Sequence, residues 1–321
     1  MPGRTSRLPV MRRRTIAPVA ALAVLVLAFG LANGSFLGAD NLSVLAQQSL
    51  VVATLALGQA FVVITAGIDL ANAAVAVFAT LLIAKLATAG TPGLVALLAG
   101  VLVAAAIGLA TGGLATGLRL PPFIVTFGTF VIVTAASHLY AQGRTYSVTD
   151  GLLAWPGETK YLFGRVELSY GMGILVVMYA AAWFVLKRTG WGANVYAIGA
   201  DPRSARRAGI RVRRTTLIVY LVAGLCYGIA AWQALGRVPI ADPDALALGN
   251  LDSIAAVVVG GVSLFGGRGG VVGVLAGAVL VVVLRAGLAQ FGVDTRVQDI
   301  AVGVLMIAAV AVDRFSLGRQ R

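Results

Sequence analysis

Few residues in this chain could do covalent, redox or metal chemistry. His138 is the one histidine and Cys226 the one cysteine. They fall in different apolar stretches, so neither a nucleophile with its base nor a metal-ligand pair can be built from them. His138 reads as packed in a helix near a membrane surface, and Cys226 as a small buried hydrophobe. The three lysines, Lys85, Lys160 and Lys187, all lack the Gly-x-x-x-x-Gly context whose backbone cradles a nucleotide phosphate. Hydrolysis of ATP by that route is excluded, and no metal and no cofactor is expected within the chain itself.

Two small constellations remain. The run Asp201-Pro202-Arg203-Ser204-Ala205-Arg206-Arg207-Ala208-Gly209 carries the marks of a short capped helix. Asp201 suits the N-cap, Pro202 the first helical position and Gly209 the left-handed position that ends a helix. Arg203, Arg206 and Arg207 are spaced so that at least two share a face. Orientation in a membrane would explain their charge, but orientation needs no ordered helix. The second constellation is polar and sparse. Asp69, in Gly67-Ile68-Asp69, reads either as a cap for the helix that follows or as a contact on a solute path. Phe123, Thr126 and Thr129, just after Pro121-Pro122, offer an aromatic face and two hydroxyls that could line such a path.

The elements that must position these residues are membrane helices. Hydrophobic residues make up 59% of the 321 and charged residues only 12%, about half the charged share of a soluble domain. The excess comes in long runs, and roughly 20 apolar residues carry a helix across a bilayer. Residues 16–32 form the first run. The next, 43–89, would extend about 70 Å as one helix, against a hydrocarbon core of about 30 Å, so it must break near Gly67-Ile68-Asp69 into 43–66 and 70–89. Further runs lie at 93–118, 122–140, 169–186, 217–235, 254–265, 271–290 and 298–312. The run 254–265 is short and precedes Gly266-Gly267-Arg268-Gly269-Gly270, the pattern of a broken or re-entrant helix. Gly260, Gly261 and Gly273-x-x-x-Gly277 let helices approach closely. The expected fold class is all-α and polytopic, with about ten membrane helices in one domain over 16–313, a basic tail 1–15 and a short tail 314–321.

Orientation follows from the basic residues, which are enriched on the cytoplasmic side. Placing both termini in the cytoplasm puts inside Arg4, Arg7, Arg12, Arg13, Arg14, Arg119, Arg268, Arg314, Arg319 and Arg321. The loop 187–216 adds Lys187, Arg188, Arg203, Arg206, Arg207, Arg211, Arg213 and Arg214. Lys85, Arg144, Lys160, Arg165, Arg237, Arg285 and Arg296 fall outside or near outer helix ends. The net charge of +13 is then a record of orientation, and no nucleic acid is needed to account for it. Trp183, Trp191 and Trp232 fall near helix ends, where amphipathic rings settle, and Trp155 lies in the longest outer loop.

Four stretches together carry a resemblance. They are Ile64-Thr65-Ala66-Gly67-Ile68-Asp69-Leu70; Leu120-Pro121-Pro122-Phe123-Ile124-Val125-Thr126; Tyr196-Ala197-Ile198-Gly199-Ala200-Asp201 with Ala208-Gly209-Ile210-Arg211; and Leu251-Asp252-Ser253-Ile254-Ala255-Ala256 with Gly260-Gly261 and Gly266-Gly267-Arg268-Gly269. In this order, over about 40–313, they resemble the permease subunits of ABC-type sugar importers of the ribose, xylose and galactose group. The resemblance implies a bacterial inner-membrane permease that is not itself an enzyme. It further implies a second permease subunit, cytoplasmic ATPase subunits that bind ATP and magnesium, and an extracytoplasmic solute-binding protein. Residues 202–208 would be the coupling helix seated in the ATPase. The chain departs from the family's Ser-Val-Gly after Gly-Ile-Asp-Leu, where it has Ala71-Asn72-Ala73. Permeases for branched-chain amino acids or nucleosides share this architecture. An ion-coupled secondary transporter would need ionisable pairs at depth, and the sequence offers only Asp69 at a turn, with Lys85 and Arg285 approaching helix ends.

Overall fold

The computed structural model describes residues 8–163 and 166–318. Arg4, Arg7, Arg165, Arg319 and Arg321, assigned above to one face or the other, lie outside the described residues. The helices in chain order are α1 Leu8–Ala32, α2 Ala39–Ile64, α3 Asn72–Thr88, α4 Gly93–Gly117, α5 Pro122–Ala141, α6 Gly151–Ala154 and α7 Tyr170–Arg188. They continue with α8 Gly190–Ala200, α9 Pro202–Arg207, α10 Val212–Arg237, α11 Gly249–Val259, α12 Val271–Gln290 and α13 Thr295–Gly318. Strand structure among the described residues is confined to two small ladders, in which β1 Tyr146–Ser147 pairs antiparallel with β4 Ile240–Ala241, and β2 Thr159–Phe163 with β3 Val166–Ser169. Seven helices are long and apolar enough to cross a membrane: α2, α4, α5, α7, α10, α12 and Thr295–Arg314 of α13. The chain is a mostly helical, polytopic membrane protein.

Helix α2 forms the middle of the molecule. From Ser49 to Ile64 every residue but Val52 is buried, and the helix meets α10 on one side and α12 and α11 on the other. A central helix can carry polar side chains only if partners satisfy them. Thr54 Oγ1 accordingly bonds Gln233 Oε1 of α10 at 2.6 Å, and Tyr179 of α7 donates to Ala53 O at 2.8 Å. Gly108 and Gly112 of α4 admit the backbone and ring of Tyr220 on α10. Gly273 and Gly277 of α12 bring it against the carbonyls of Gly260 and Ala256 at the end of α11, the close packing that small residues permit. Helix α1 docks on α12, with the Phe29 ring lying over Gly287, where a Cβ would overlap it.

Each expected run overlaps one helix with shifted ends, while α6, α8 and α9 fall outside the runs. Three of the ten, Ala17–Ala32, Asn72–Thr88 and Gly249–Val259, are apolar but shorter than the seven long candidates. The break in 43–89 falls at Thr65–Ala71, where Ala66 takes a left-handed φ of 62°. The run expected at 254–265 is instead α11, starting five residues earlier and ending at Val259. The sequence between Gly260 and Gly270 holds four left-handed glycines, so it folds as a turn. Helix α1 includes Arg12, Arg13 and Arg14, and α13 runs through Asp313 and Arg314. The long loop between α5 and α7 is ordered: Asp150 caps α6 through Leu152 N and Leu153 N, and Trp155 stacks on Tyr170 (5.0 Å) and Trp232 (6.0 Å).

Candidate functional site

Helix α9 has both of its expected ends. The Asp201 carboxylate accepts from Arg203 N at 2.8 Å and from Ser204 Oγ at 2.6 Å. These bonds, led by that of Ser204, hold its pKa below the ordinary carboxylate value. Pro202 is the first helical residue, and the helix ends at Arg207, one residue before the expected boundary. Gly209, at φ 83°, turns the chain while Gly209 N and Ile210 N return to Arg206 O and Ala205 O, which is the double bond of a glycine C-cap. Arg203, Arg206 and Arg207 are exposed, and Ala205 is buried. The helix therefore sits on the molecule by Ala205 and presents its guanidinium groups outward.

Sequence reasoning did not separate α8 from this loop. Its glycines, Gly190, Gly192 and Gly199, depress helix propensity, yet Thr189 caps the helix through Gly192 N and Trp191 packs on Phe61 at 6.0 Å. Asp201 is at once the C-cap of α8 and the N-cap of α9. At the other end of this seat a Cβ on Gly199 would overlap Ile64 O, and Gly266 and Gly267 lie directly against Gly199 and Ala200. Gly267 N donates to Ile64 O at 2.8 Å, and Tyr196 Oη to Gly269 O at 2.9 Å. Gly261 and Gly269 shape the same turn, with φ of 81° and 134°.

Asp69 is buried in the break between α2 and α3. Its carboxylate accepts from Ala71 N at 2.8 Å and from Tyr227 Oη at 3.0 Å. Ala71, not Asp69, holds the N-cap position of α3, so Asp69 braces the turn before the helix and ties it to α10. Gly67 sits under Val62 with a Cβ site 2.9 Å from Val62 Cγ1. Thr126 is buried too, and its Oγ1 donates to Ile68 O at 2.9 Å, joining α5 to this same turn. Thr129 bonds Val125 O and approaches Thr111 Oγ1 at 3.3 Å. Phe123 is half-exposed, stacked on Phe127 at 6.4 Å. The structure thus brings Asp69 and Thr126 together at the break and leaves Phe123 on the outer surface of α5.

Two polar groups escaped the sequence reading. Asn72, fully buried at the start of α3, donates to Ser253 Oγ of α11 at 2.6 Å. Arg285 of α12 pairs with Asp252 of α11 (2.7 Å) and Asp299 of α13 (2.6 Å), so ionisable groups do pair across helices here. Their separation in sequence hid them; Asp252 at the polar start of a short helix was the available signal. Lys85, by contrast, is held by Tyr140, whose carbonyl it donates to at 2.9 Å and whose ring it covers at 4.0 Å. No group of three or more metal-ligating side chains occurs among the described residues.

The family model described as the permease component of the branched-chain amino acid transport system matches residues 41–310. The fructose import permease protein of Rhizobium meliloti is 36% identical over 93% of this chain and 84% of its own length. The ribose import permease protein of Bacillus subtilis is 32% identical over 93% and 92%, and the D-allose transport system permease protein of Escherichia coli 32% over 91% and 89%. The capped loop, the Asp69 turn and the glycine turn all fall inside the matched region, and this chain belongs to the permease-component family of ABC-type importers.

Proposed function

We propose that the chain forms half of a membrane path for a sugar, with α9 as the docking helix for a separate ATPase. The observation that carries this reading is the exposed, doubly capped basic helix in a chain whose relatives are sugar import permeases. Exposed guanidinium groups meet carboxylates with the strength of charge-assisted bonds, and a capped helix holds them in one geometry. The ATPase supplies ATP and Mg chemistry; the permease supplies none. The path needs a second permease subunit, as a copy or a homologue, and a solute-binding protein outside. The seven long helices and the three shorter ones account for about ten membrane segments with both termini inside, of which the eleven-residue α11 enters the bilayer without crossing it alone, and the placement of the arginines supports this orientation. The exposed apolar faces of α5 and α13 then meet lipid or the second subunit.

The family to which the chain belongs is described by branched-chain amino acid transport, which favours a second reading, a branched-chain amino acid permease. Both are tested in proteoliposomes holding the permease with its ATPase and binding protein, loaded with ATP and given labelled fructose, ribose or leucine. ATP-dependent uptake of a sugar but not of leucine is expected, and the reverse would overturn the sugar reading. Arg206→Glu with Arg207→Glu is expected to leave the protein in the membrane and abolish ATP-driven uptake. Normal uptake by that variant would remove α9 from the docking role.

A further inference from the structure

Helix α8 joins two parts of the molecule that a docking helix would have to connect. At its C-terminus no linker separates it from α9, because Asp201 caps both: Asp201 N donates to Ala197 O at 3.1 Å, while its carboxylate holds Arg203 N. A displacement of α9 must therefore carry the end of α8 with it. That end is packed backbone to backbone. Gly199 abuts Ile64 O, the last residue of α2, and Gly266 and Gly267 abut Gly199, Ala200 and Ala66. Contacts between main chains contain no flexible side chain to absorb a shift, and close-packed interiors transmit displacement.

Ile64 opens the break that contains Asp69 and is bonded by Gly267 N at 2.8 Å. Gly266, Gly267 and Gly269 form the turn between α11 and α12, and Tyr196 Oη holds that turn through Gly269 O at 2.9 Å. Both discontinuities of the membrane helices thus converge on one turn of α8. We infer that α8 is the strut through which movement of the docking helix reaches the Asp69 break and the glycine turn together, with Tyr196 as its positioning residue. This inference rests on the docking role proposed for α9. Tyr196 touches no solute and acts through Gly269.

The test uses the permease–ATPase complex in lipid nanodiscs, with amide hydrogen exchange compared between the nucleotide-free and the ATP–vanadate-trapped states. In the wild type, segments 64–71, 196–200 and 260–270 are expected to change together. Tyr196→Phe, which removes only the hydroxyl, is expected to retain ATPase binding and ATP hydrolysis. Its nucleotide-dependent change at 64–71 and 260–270 falls roughly fivefold, the equivalent of one ordinary hydrogen bond. Transported solute per ATP falls with it while the KM for solute stays constant, a split that mere destabilisation would not produce. The inference is overturned if Tyr196→Phe responds as the wild type does. It is equally overturned if the wild-type segments do not respond, a result that decides the matter even where the variant fails to assemble. Failure of the wild type to bind any ATPase would instead sink the docking role itself.

Discussion

Asp201 does three jobs: its backbone N–H ends α8, and its carboxylate begins α9 and orients Ser204. Because its bonds lower its pKa, the support it gives α9 is fully present above the ordinary carboxylate pKa and is lost only as pH falls through the lower folded value. ATPase docking should therefore be insensitive to this group from pH 5 to 8. A carboxyl infrared titration of Asp201 is expected to fall below the ordinary aspartate value; a titration at or above it would contradict the cap. Asp201→Asn, which keeps a capping oxygen, should dock nearly normally, and Asp201→Ala should not. At Asn72 the structure predicts an asymmetry. Ser253→Ala leaves the Asn72 amide its second bond, to Gln59 Oε1 at 3.2 Å, and should cost about 1 kcal/mol or less. Asn72→Val leaves Ser253 Oγ its bond to Asn250 O at 2.8 Å but takes the Asn72 partner from the fully buried Gln59, at a cost of roughly 1–3 kcal/mol. Thermal unfolding in detergent separates the two, and equal losses would refute the bond to Gln59. The caps of α9 were readable because Asp, Pro and Gly mark backbone geometry locally. Asn72 was not, because its partner is 181 residues away.

Between elements, glycine and charge divide the work. The α11–α12 contact depends on backbone approach, so Gly277→Val should force the helices apart and cost about 1–3 kcal/mol. Gly303→Ala on α13, with nothing within 4 Å of its Cβ site, should be neutral or stabilising by up to about 1 kcal/mol, and matched melting curves test the contrast. Arg285 latches α11 and α13 to α12 from partly buried positions. Removing it as Arg285→Met strands two carboxylates and should cost roughly 2–3 kcal/mol, somewhat less than a fully buried pair. Adding Asp252→Leu and Asp299→Leu should restore most of that stability. Persistent loss in the triple variant would mean that the arginine packs more than it pairs. Helix existence was legible here from apolar runs, because length alone decides whether a run can span. Helix ends were less so: α11 starts on Gly249 and Asn250, polar or flexible residues whose burial depends on neighbours absent from any local window. The two-residue strands β1 and β4 carry no periodicity at all.

For the whole molecule, the proposed orientation assigns α9 and the β1–β4 ladder to opposite faces. The single cysteine makes this easy to examine, since Cys226 is buried and Cys226→Ala gives a silent background. In that background Ser204→Cys should react with an impermeant maleimide only from the inner side, and Asp244→Cys only from the outer side; labelling from one common side would overturn the orientation. The distribution of arginines is what the proposed sidedness rests on, whereas the seat of α8 depended on distant turns meeting, which no local pattern announces. The docking of α1 on α12 bears on how the protein is made. Helix α1 is synthesised well before α12, and until α12 has been inserted Phe29 has no Gly287 to cover. In that interval the growing chain offers α1 little more than Phe36 and Leu45. A nascent chain stopped after α10 would leave the α12-facing side of α1 unclaimed, so that contact closes late, and a quality-control protease would find a foothold there.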